Sequence, residues 1–181
     1  MNTRDEGALI DRSLAGDSQA FGELVDCYGP PVFNLALRML NDPEDARDVS
    51  QVAFVKAYQH LHTFDRRNRF FSWIYRIALN ESLNLLSRRR RHEALDETLV
   101  SGDRTPETTY EATEENGLVT RGLMELSVEH RQVIVLRHFM EMSHREIGSV
   151  LHLPEKTVKS RLHTARGRLG EILRRWGCGP S

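Results

Sequence analysis

The stretch EIGSVLHLPEKTVKSRLHTARGRL, Glu146 to Leu169, places an apolar helical run, a break at a proline and a second, cationic helical run within one short span. Just upstream, Ser143-His144-Arg145-Glu146 has capping-box spacing, so a helix carrying Ile147, Val150 and Leu151 starts where the apolar pattern does. His152-Leu153-Pro154 ends it, and Pro154 can serve as the first residue of the next helix. Gly148 sits where a second helix could cross closely. Two helices joined by a turn of three or four residues form a helix-turn-helix. On the second helix Val158, Leu162, Ala165 and Leu169 share one stripe, which predicts the core face. The opposite side presents Lys156, Lys159, Ser160 and His163, with Arg161 and Arg166 on the flanks. Donors of this kind near a helix N-terminus suit phosphates and the acceptor edges of purines in a major groove. The plainer alternative is a basic amphipathic helix that only packs.

Working outward, the 181 residues suit one medium domain or two small ones, and 39 % hydrophobic content supports small cores. No run approaches the roughly 20 apolar residues of a membrane span. The first residues, MNTRDEGALIDRSLAGD, lack an apolar segment behind a basic start, so neither a signal peptide nor membrane insertion is expected, and a cytoplasmic location follows. Cys27 and Cys178 lie far apart without metal-ligand spacing and read as reduced thiols. The net charge of −1 hides a block pattern. Residues 1–50 and 93–129 each carry 10 acidic residues, against 4 and 2 basic ones; residues 51–92 and 130–181 carry 9 and 10 basic residues, against 2 and 4 acidic ones. Two basic surfaces separated by an acidic connector point to two places where a polyanion docks; solvated helix faces that merely cluster are the other reading.

The chain reads as helix nearly throughout, without alternating strand patterns or hairpin turns, which predicts an all-α protein. A first helix spans about 6–15, and Asp17 or Ser18 caps a second bearing Phe21, Leu24, Val25 and Tyr28. Gly29-Pro30-Pro31 is expected to break that helix, with Phe33 to Leu40 continuing in another. Asp42-Pro43-Glu44-Asp45 is a helix start with Asp as N-cap and Pro at the first position, and the helix runs to about Leu61. A fourth helix begins near Phe70 and ends in Arg88–Arg91. Residues 93–116 are acidic, contain Gly102 and Pro106, lack an apolar period and read as a flexible linker. The expected organisation is therefore two small helical domains, 1–92 and 117–181, with helices of the second near 118–125, 128–140, 143–151 and 154–175.

Projecting 70–88 on a helix buries Phe71, Ile74, Ala78 and Leu85 and turns Trp73, Arg76, Asn80, Leu83 and Asn84 outward. Beside Arg66, Arg67 and Arg69 and the Arg88–Arg91 run, that stripe has the makings of a platform for unpaired bases, where aromatic stacking contributes about 1–3 kcal/mol per base. Trp73 taken alone is more often a core residue. On the helix 43–61, Ala46, Val49, Ala53, Ala57 and Leu61 face inward, while Glu44, Asp48, Gln51, Val52, Val55 and Tyr58 face out. Acidic groups among exposed apolar ones suit protein docking better than nucleic acid.

These residues together resemble the extracytoplasmic-function (ECF) sigma factors, the small two-domain sigma subunits of bacterial RNA polymerase. GDSQAFGELVDCYGPPVFNLALRMLNDPEDARDVSQVAFVKAYQHLHTFDRRNRFFSWIYRIALNESLNLLSRRRR is similar to the family's promoter-melting domain, and LMELSVEHRQVIVLRHFMEMSHREIGSVLHLPEKTVKSRLHTARGRL to its upstream-element-binding domain. The resemblance implies that Asp48 and Gln51, matching D-x-x-Q, dock with Val52 and Val55 on the clamp helices of the polymerase's largest subunit, the flap being a second contact. It implies that the loop Phe64, Arg66, Arg67, Asn68 and Arg69 up to Phe71 captures a flipped base of the minus-ten element. Trp73, Arg76, Asn80 and Arg88 would hold the melted strand, and Lys156, Thr157, Lys159, Ser160, Arg161, His163 and Arg166 would read the double-stranded minus-thirty-five element. An anti-sigma partner is implied as well. Val52 replaces a usual Glu, His152 a frequent Gly at the turn, and Lys156 a frequent Gly. His tolerates a left-handed turn better than most residues. No catalytic, cofactor or metal cluster is visible, so an enzyme is not expected. The rival is a stand-alone helix-turn-helix regulator; the Trp73 stripe and the Asp48/Gln51 face speak against it.

Overall fold

The computed structural model describes residues 3–96 and 114–177, which form eight α-helices and no strand. Four helices precede the linker: α1 (Thr3–Leu14), α2 (Ser18–Leu40), α3 (Pro43–Gln59) and, after a 3-10 turn at Leu61–Thr63, α4 (Phe70–Asp96). Four follow: α5 (Glu114–Glu125), α6 (Val128–Ile134) continued by a π turn at Val135–Phe139, α7 (His144–Leu151) and α8 (Glu155–Arg175). The heart of the expected linker, residues 97–113, and Cys178 lie outside the described residues. α4 runs past the expected stop at Arg91 to Asp96, and α5 begins before Gly117.

Helix starts follow the local chemistry. Asp17 caps α2 by accepting from the N–H groups of Gln19 and Ala20, and Asp42 caps α3 by accepting from those of Glu44 and Asp45. Asn41 closes α2 in the left-handed region at φ 54°, which Asn tolerates, and its N–H returns to the Leu37 carbonyl.

The break expected at Gly29-Pro30-Pro31 is not there: α2 is continuous through both prolines. Two prolines remove the main-chain bonds that would reach the carbonyls of Asp26 and Cys27. Both of those residues are exposed, so water can satisfy the carbonyls. Fully buried Leu24 before the prolines and Val32, Leu35 and Ala36 after them hold the two segments to one packing direction.

In the N-terminal half α2, α3 and α4 enclose a core of Leu24, Leu35, Met39, Ala53, Phe70, Ile74 and Leu79. In the C-terminal half α8 backs α5, α6 and α7 around Leu123, Val133, Leu136, Ile147, Val158 and Leu162. The halves meet where α4 touches α7 and where α2 touches α5, α6 and the π turn. Arg131, almost wholly buried, donates to the carbonyls of Leu123, Met124 and Leu126 in its own half and across the seam to Met39 at 2.6 Å. Arg38 crosses the other way, donating to the Thr120 hydroxyl at 2.6 Å with its guanidinium 4.3 Å from the Phe139 ring centre.

Candidate nucleic-acid interface

The helix-turn-helix forms as the spacing predicts. Ser143 and Glu146 close a complete capping box at the start of α7. His152 ends α7 in the left-handed region at φ 54° and ψ 43°. The turn then folds tightly onto α7: a Cβ at Gly148 would lie 2.7 Å from the Leu153 carbonyl oxygen, and the Leu153 N–H bonds the Gly148 carbonyl at 2.9 Å. Gly148 therefore admits the turn's backbone and not, as expected, a crossing helix. Pro154 is the N-cap of α8, one position before the first helical residue.

On α8 Val158, Leu162 and Ala165 are buried and Leu169 half-buried, while Lys156, Lys159, Ser160, His163 and Arg166 are exposed, with Thr157 and Arg161 half-buried beside them. The cationic face is thus presented to solvent. Lys159 pairs with Glu155 at 2.8 Å one turn back, and Arg166 donates from Nε to His138 Nε2 at 3.1 Å. His130 on α6 joins Lys156, Thr157, Ser160 and Arg161 around a shallow concavity at the N-terminal end of α8. Its Nδ1 lies 2.8 Å from the Ser127 hydroxyl and 3.4 Å from Arg168. Burial, then Arg168 and Arg161, depress its pKa. Sequence reasoning missed His130 because Lys156 and Arg168 lie far along the chain from it; only the fold brings them together.

The second basic surface surrounds the start of α4. Arg66, Arg67, Asn68 and Arg69 are exposed in the loop before it, as are Asn80 and Arg88 along the helix. Within the loop Asp65 accepts from the Arg67 main-chain N–H at 3.0 Å and from its guanidinium, which holds the Asp65 carboxyl below the usual range. Arg66 donates to Asp11 of α1. Arg76 is half-buried, its Nη1 3.5 Å from His152 Nε2 of the helix-turn-helix, and Arg69 Nε lies 4.0 Å from Glu146.

Trp73 is the correction. It is 8 % exposed, wedged among Phe64 and Phe70 with ring centres 5.3 and 5.7 Å away, and does not stand in an outward stripe with Arg76 and Asn80. Leu83 is likewise half-buried. α4 is covered from two sides, by α2 and α3 and by α7. Its buried positions Phe70, Trp73, Ile74, Tyr75, Ala78, Leu79 and Ser82 consequently sweep roughly 240° of the helix at about 100° per residue, wider than a single stripe. Phe64, half-buried, belongs to the same aromatic group.

The outer face of α3 is as expected. Asp48 and Gln51 are exposed beside Val52 and Val55, whose exposures of 41 % and 51 % are unusual for valine, and Tyr58 continues the face at 48 %. Ala46, Val49, Ala53, Ala57 and, in the 3-10 turn, Leu61 are buried, joined by Phe54. Among the described residues no cluster of three potential metal ligands occurs, and no helix is long and apolar enough to cross a membrane.

Residues 24–92 match the sigma-70 region 2 family and residues 117–169 the sigma-70 region 4 family. The chain is 32 % identical over 177 residues to the ECF RNA polymerase sigma factor SigW of Bacillus subtilis, covering 91 % of this chain and 95 % of that protein. It is 32 % identical over 170 residues to the ECF RNA polymerase sigma-E factor of Escherichia coli, covering 87 % and 88 %. Among solved structures, CnrH in complex with the cytosolic domain of CnrY superposes with a TM-score of 0.71 at 32 % identity, over 93 % of this chain and 96 % of that one. A stand-alone helix-turn-helix regulator would leave the region 2 match in the N-terminal half without a place. With a region 2 fold before the linker, a region 4 helix-turn-helix after it and kinship along nearly the whole length, the chain belongs to the ECF sigma factors of RNA polymerase.

Proposed function

We propose that this sigma factor divides its work among three surfaces. The outer face of α3, with Asp48, Gln51, Val52 and Val55, docks on core RNA polymerase through the clamp helices of the largest subunit; exposed valines beside an amide and a carboxylate give a surface that gains by burial against protein. The 64–69 loop and the exposed edge of α4, through Arg66, Arg67, Asn68, Arg69, Arg76, Asn80 and Arg88, hold the melted minus-ten strand. Phe64 and Trp73 shape that surface from beneath. α8 enters the major groove of the minus-thirty-five element with Lys156, Thr157, Lys159, Ser160, Arg161, His163 and Arg166. The protein works in the cytoplasm as an initiation factor, the catalysis of RNA synthesis belonging to the polymerase, and an anti-sigma protein covers it when its promoters are silent.

The observation that carries this reading is the exposure of the α8 cations immediately after a closed helix-turn-helix whose apolar stripe is buried. The test is transcription of a promoter library by holoenzyme at two salt concentrations. Lys159→Ala should weaken all promoters about equally and lower the salt slope by about 1. Lys156→Ala or His163→Ala should shift preference at upstream base pairs by about 1–3 kcal/mol. Unchanged preference and slope in all three variants would leave α8 a packing element.

A further inference from the structure

We propose that α1 is a positioning element for the 64–69 loop, with Glu6 and Asp11 as its two points of hold. The proposal rests on the assignment of that loop to the minus-ten strand and concerns what shapes the loop before DNA arrives.

α4 begins at Phe70 directly after Arg69, and a guanidinium has no acceptor with which to cap the first N–H groups. Glu6, from α1, takes that place: its Oε1 accepts from the Phe70 N–H at 3.4 Å. Its Oε2 accepts from the Tyr28 hydroxyl of α2, and the Tyr28 ring lies 5.3 Å from that of Phe70. Burial, then the bond to Glu6, raises the Tyr28 pKa, so the phenol remains a donor. One carboxylate thereby ties α1, α2 and the first residue of α4 together, at the end of the loop where the aromatic group of Phe64, Phe70 and Trp73 begins.

Asp11 lies five residues further along α1, about 7.5 Å at the helical rise. Both of its oxygens accept from Arg66, in a two-pronged pair that fixes the guanidinium's orientation as well as its position. The pair is largely exposed, with Asp11 67 % and Arg66 44 % accessible at the side chain. Such a pair adds little to stability, and what it supplies is geometry. Between the two holds the loop has its own turn, closed by Asp65 on Arg67 and Asn68. It is therefore a small preformed body that α1 orients at its middle and at its C-terminal end. Neither carboxylate bonds Asn68 or Arg69: Glu6 holds the main chain at Phe70, and Asp11 acts by orienting Arg66.

The test uses holoenzyme carrying Glu6→Ala, Asp11→Ala, the double variant and Asp11→Glu, with transcription read over a library randomised at the minus-ten and minus-thirty-five elements. Discrimination among minus-ten sequences should fall about threefold or more in the double variant, with minus-thirty-five preference and co-purification with core polymerase unchanged, and Asp11→Glu should restore most of it. Asn68→Ala, within the loop itself, reports separately on the underlying assignment. Altered minus-ten preference in Asn68→Ala but unaltered preference in the Glu6 and Asp11 variants would overturn the role of α1 alone. Unaltered preference in all of them would remove the loop from strand recognition, and the proposal with it. A uniform loss on every promoter, accompanied by a lower melting temperature, would reduce α1 to a packing helix and also overturn it.

Discussion

Arg131→Met should destabilise the folded chain by about 3–5 kcal/mol. Arg131 is 6 % exposed, and the partners of its guanidinium are main-chain carbonyls: Leu123 and Met124 at 2.9 Å, Leu126 at 3.4 Å and Met39 at 2.6 Å. Met39 lies in the last turn of α2, which ends at Leu40, and Leu123 and Met124 lie in the last turn of α5, which ends at Glu125. One cation therefore stands at the negative ends of two helix dipoles and satisfies carbonyls that have no partner within their own helices. Burial, and secondarily Arg90, pulls its pKa below the ordinary arginine range, a cost that the four acceptors must offset. Methionine fills a similar volume but leaves the buried Met39 and Leu126 oxygens without their donor, at about 1–3 kcal/mol for each that water cannot reach, while Leu123 keeps the Leu126 N–H at 3.2 Å. Two dry acceptors suffice for the stated range. Arg131→Lys, keeping the charge but not the fork of donors, should fall between parent and Met variant. The assay is urea unfolding followed by circular dichroism, with the slope against denaturant compared among variants. A Met variant within about 1 kcal/mol of the parent would refute the capping argument.

Trp73→Ala should cost about 3–5 kcal/mol, because it empties space between Phe64 and Phe70, and promoter opening should then fail on premelted as well as duplex templates as the melting temperature drops; full rescue on a premelted bubble with normal stability would return Trp73 to a stacking role. Gly148→Ala places a Cβ 2.7 Å from the Leu153 carbonyl oxygen, so the turn must shift at about 1–3 kcal/mol, and minus-thirty-five preference should degrade while co-purification with core polymerase is kept. Burial and neighbouring arginines hold His130 and His138 below the ordinary 6.5, so the unfolded chain takes up their protons first on acidification. Their contribution is fully present above pH 6.5 and is lost as the pH falls from there through the folded values, and paired His130→Gln and His138→Gln should flatten that part of the stability profile measured by urea unfolding.

The C-terminal half was legible nearly to the residue because its signals are local. Ser143 and Glu146 bond each other, His152 adopts the left-handed turn itself, and Val158, Leu162 and Ala165 repeat at helical spacing against one neighbouring layer. The face of α3 was equally readable, since one side of that helix packs while Asp48, Gln51, Val52 and Val55 on the other stay exposed, only Tyr58 at its end meeting a neighbouring ring, that of Phe21, among the described residues. Where the reading departed, tertiary contacts had overruled local ones. Pro30 and Pro31 signal a break, yet the flanking apolar residues hold α2 through them and leave the freed carbonyls on the wet side. Trp73 sits at the margin of the expected stripe, and only the approach of α7 to α4 and the folding of Phe64 over it make that margin interior. Glu6, Asp11 and His130 carried no pattern at all; they matter through partners 22 to 64, 55 and 26 to 38 positions away.

The polar contacts across the seam between the halves differ in strength, and the difference bears on how the proposed minus-ten surface becomes available. α2 is held to the C-terminal half by Arg131 on Met39 and by Arg38, which combines a 2.6 Å bond to Thr120 with a guanidinium 4.3 Å from the Phe139 ring. The latter stacking alone contributes about 0.5–2 kcal/mol. α7 covers one side of α4, and the polar contacts beside that packing are weak: Arg69 approaches Glu146 at 4.0 Å and Arg76 approaches His152 at 3.5 Å. Arg69 is 68 % exposed at the side chain, and pairs of that kind contribute about 0–1 kcal/mol. Glu146 has in addition a prior use, since its carboxylate accepts the Ser143 N–H at 2.8 Å and completes the cap of α7. A strand phosphate competing for Arg69 and Arg76 therefore displaces weak contacts and leaves the cap of α7 intact. Parting α2 from α5 and α6 would instead cost buried Arg131 its Met39 acceptor and half-buried Arg38 both the Thr120 hydroxyl and the Phe139 ring, so Arg69 and Arg76 can change partners at lower cost than the halves can separate.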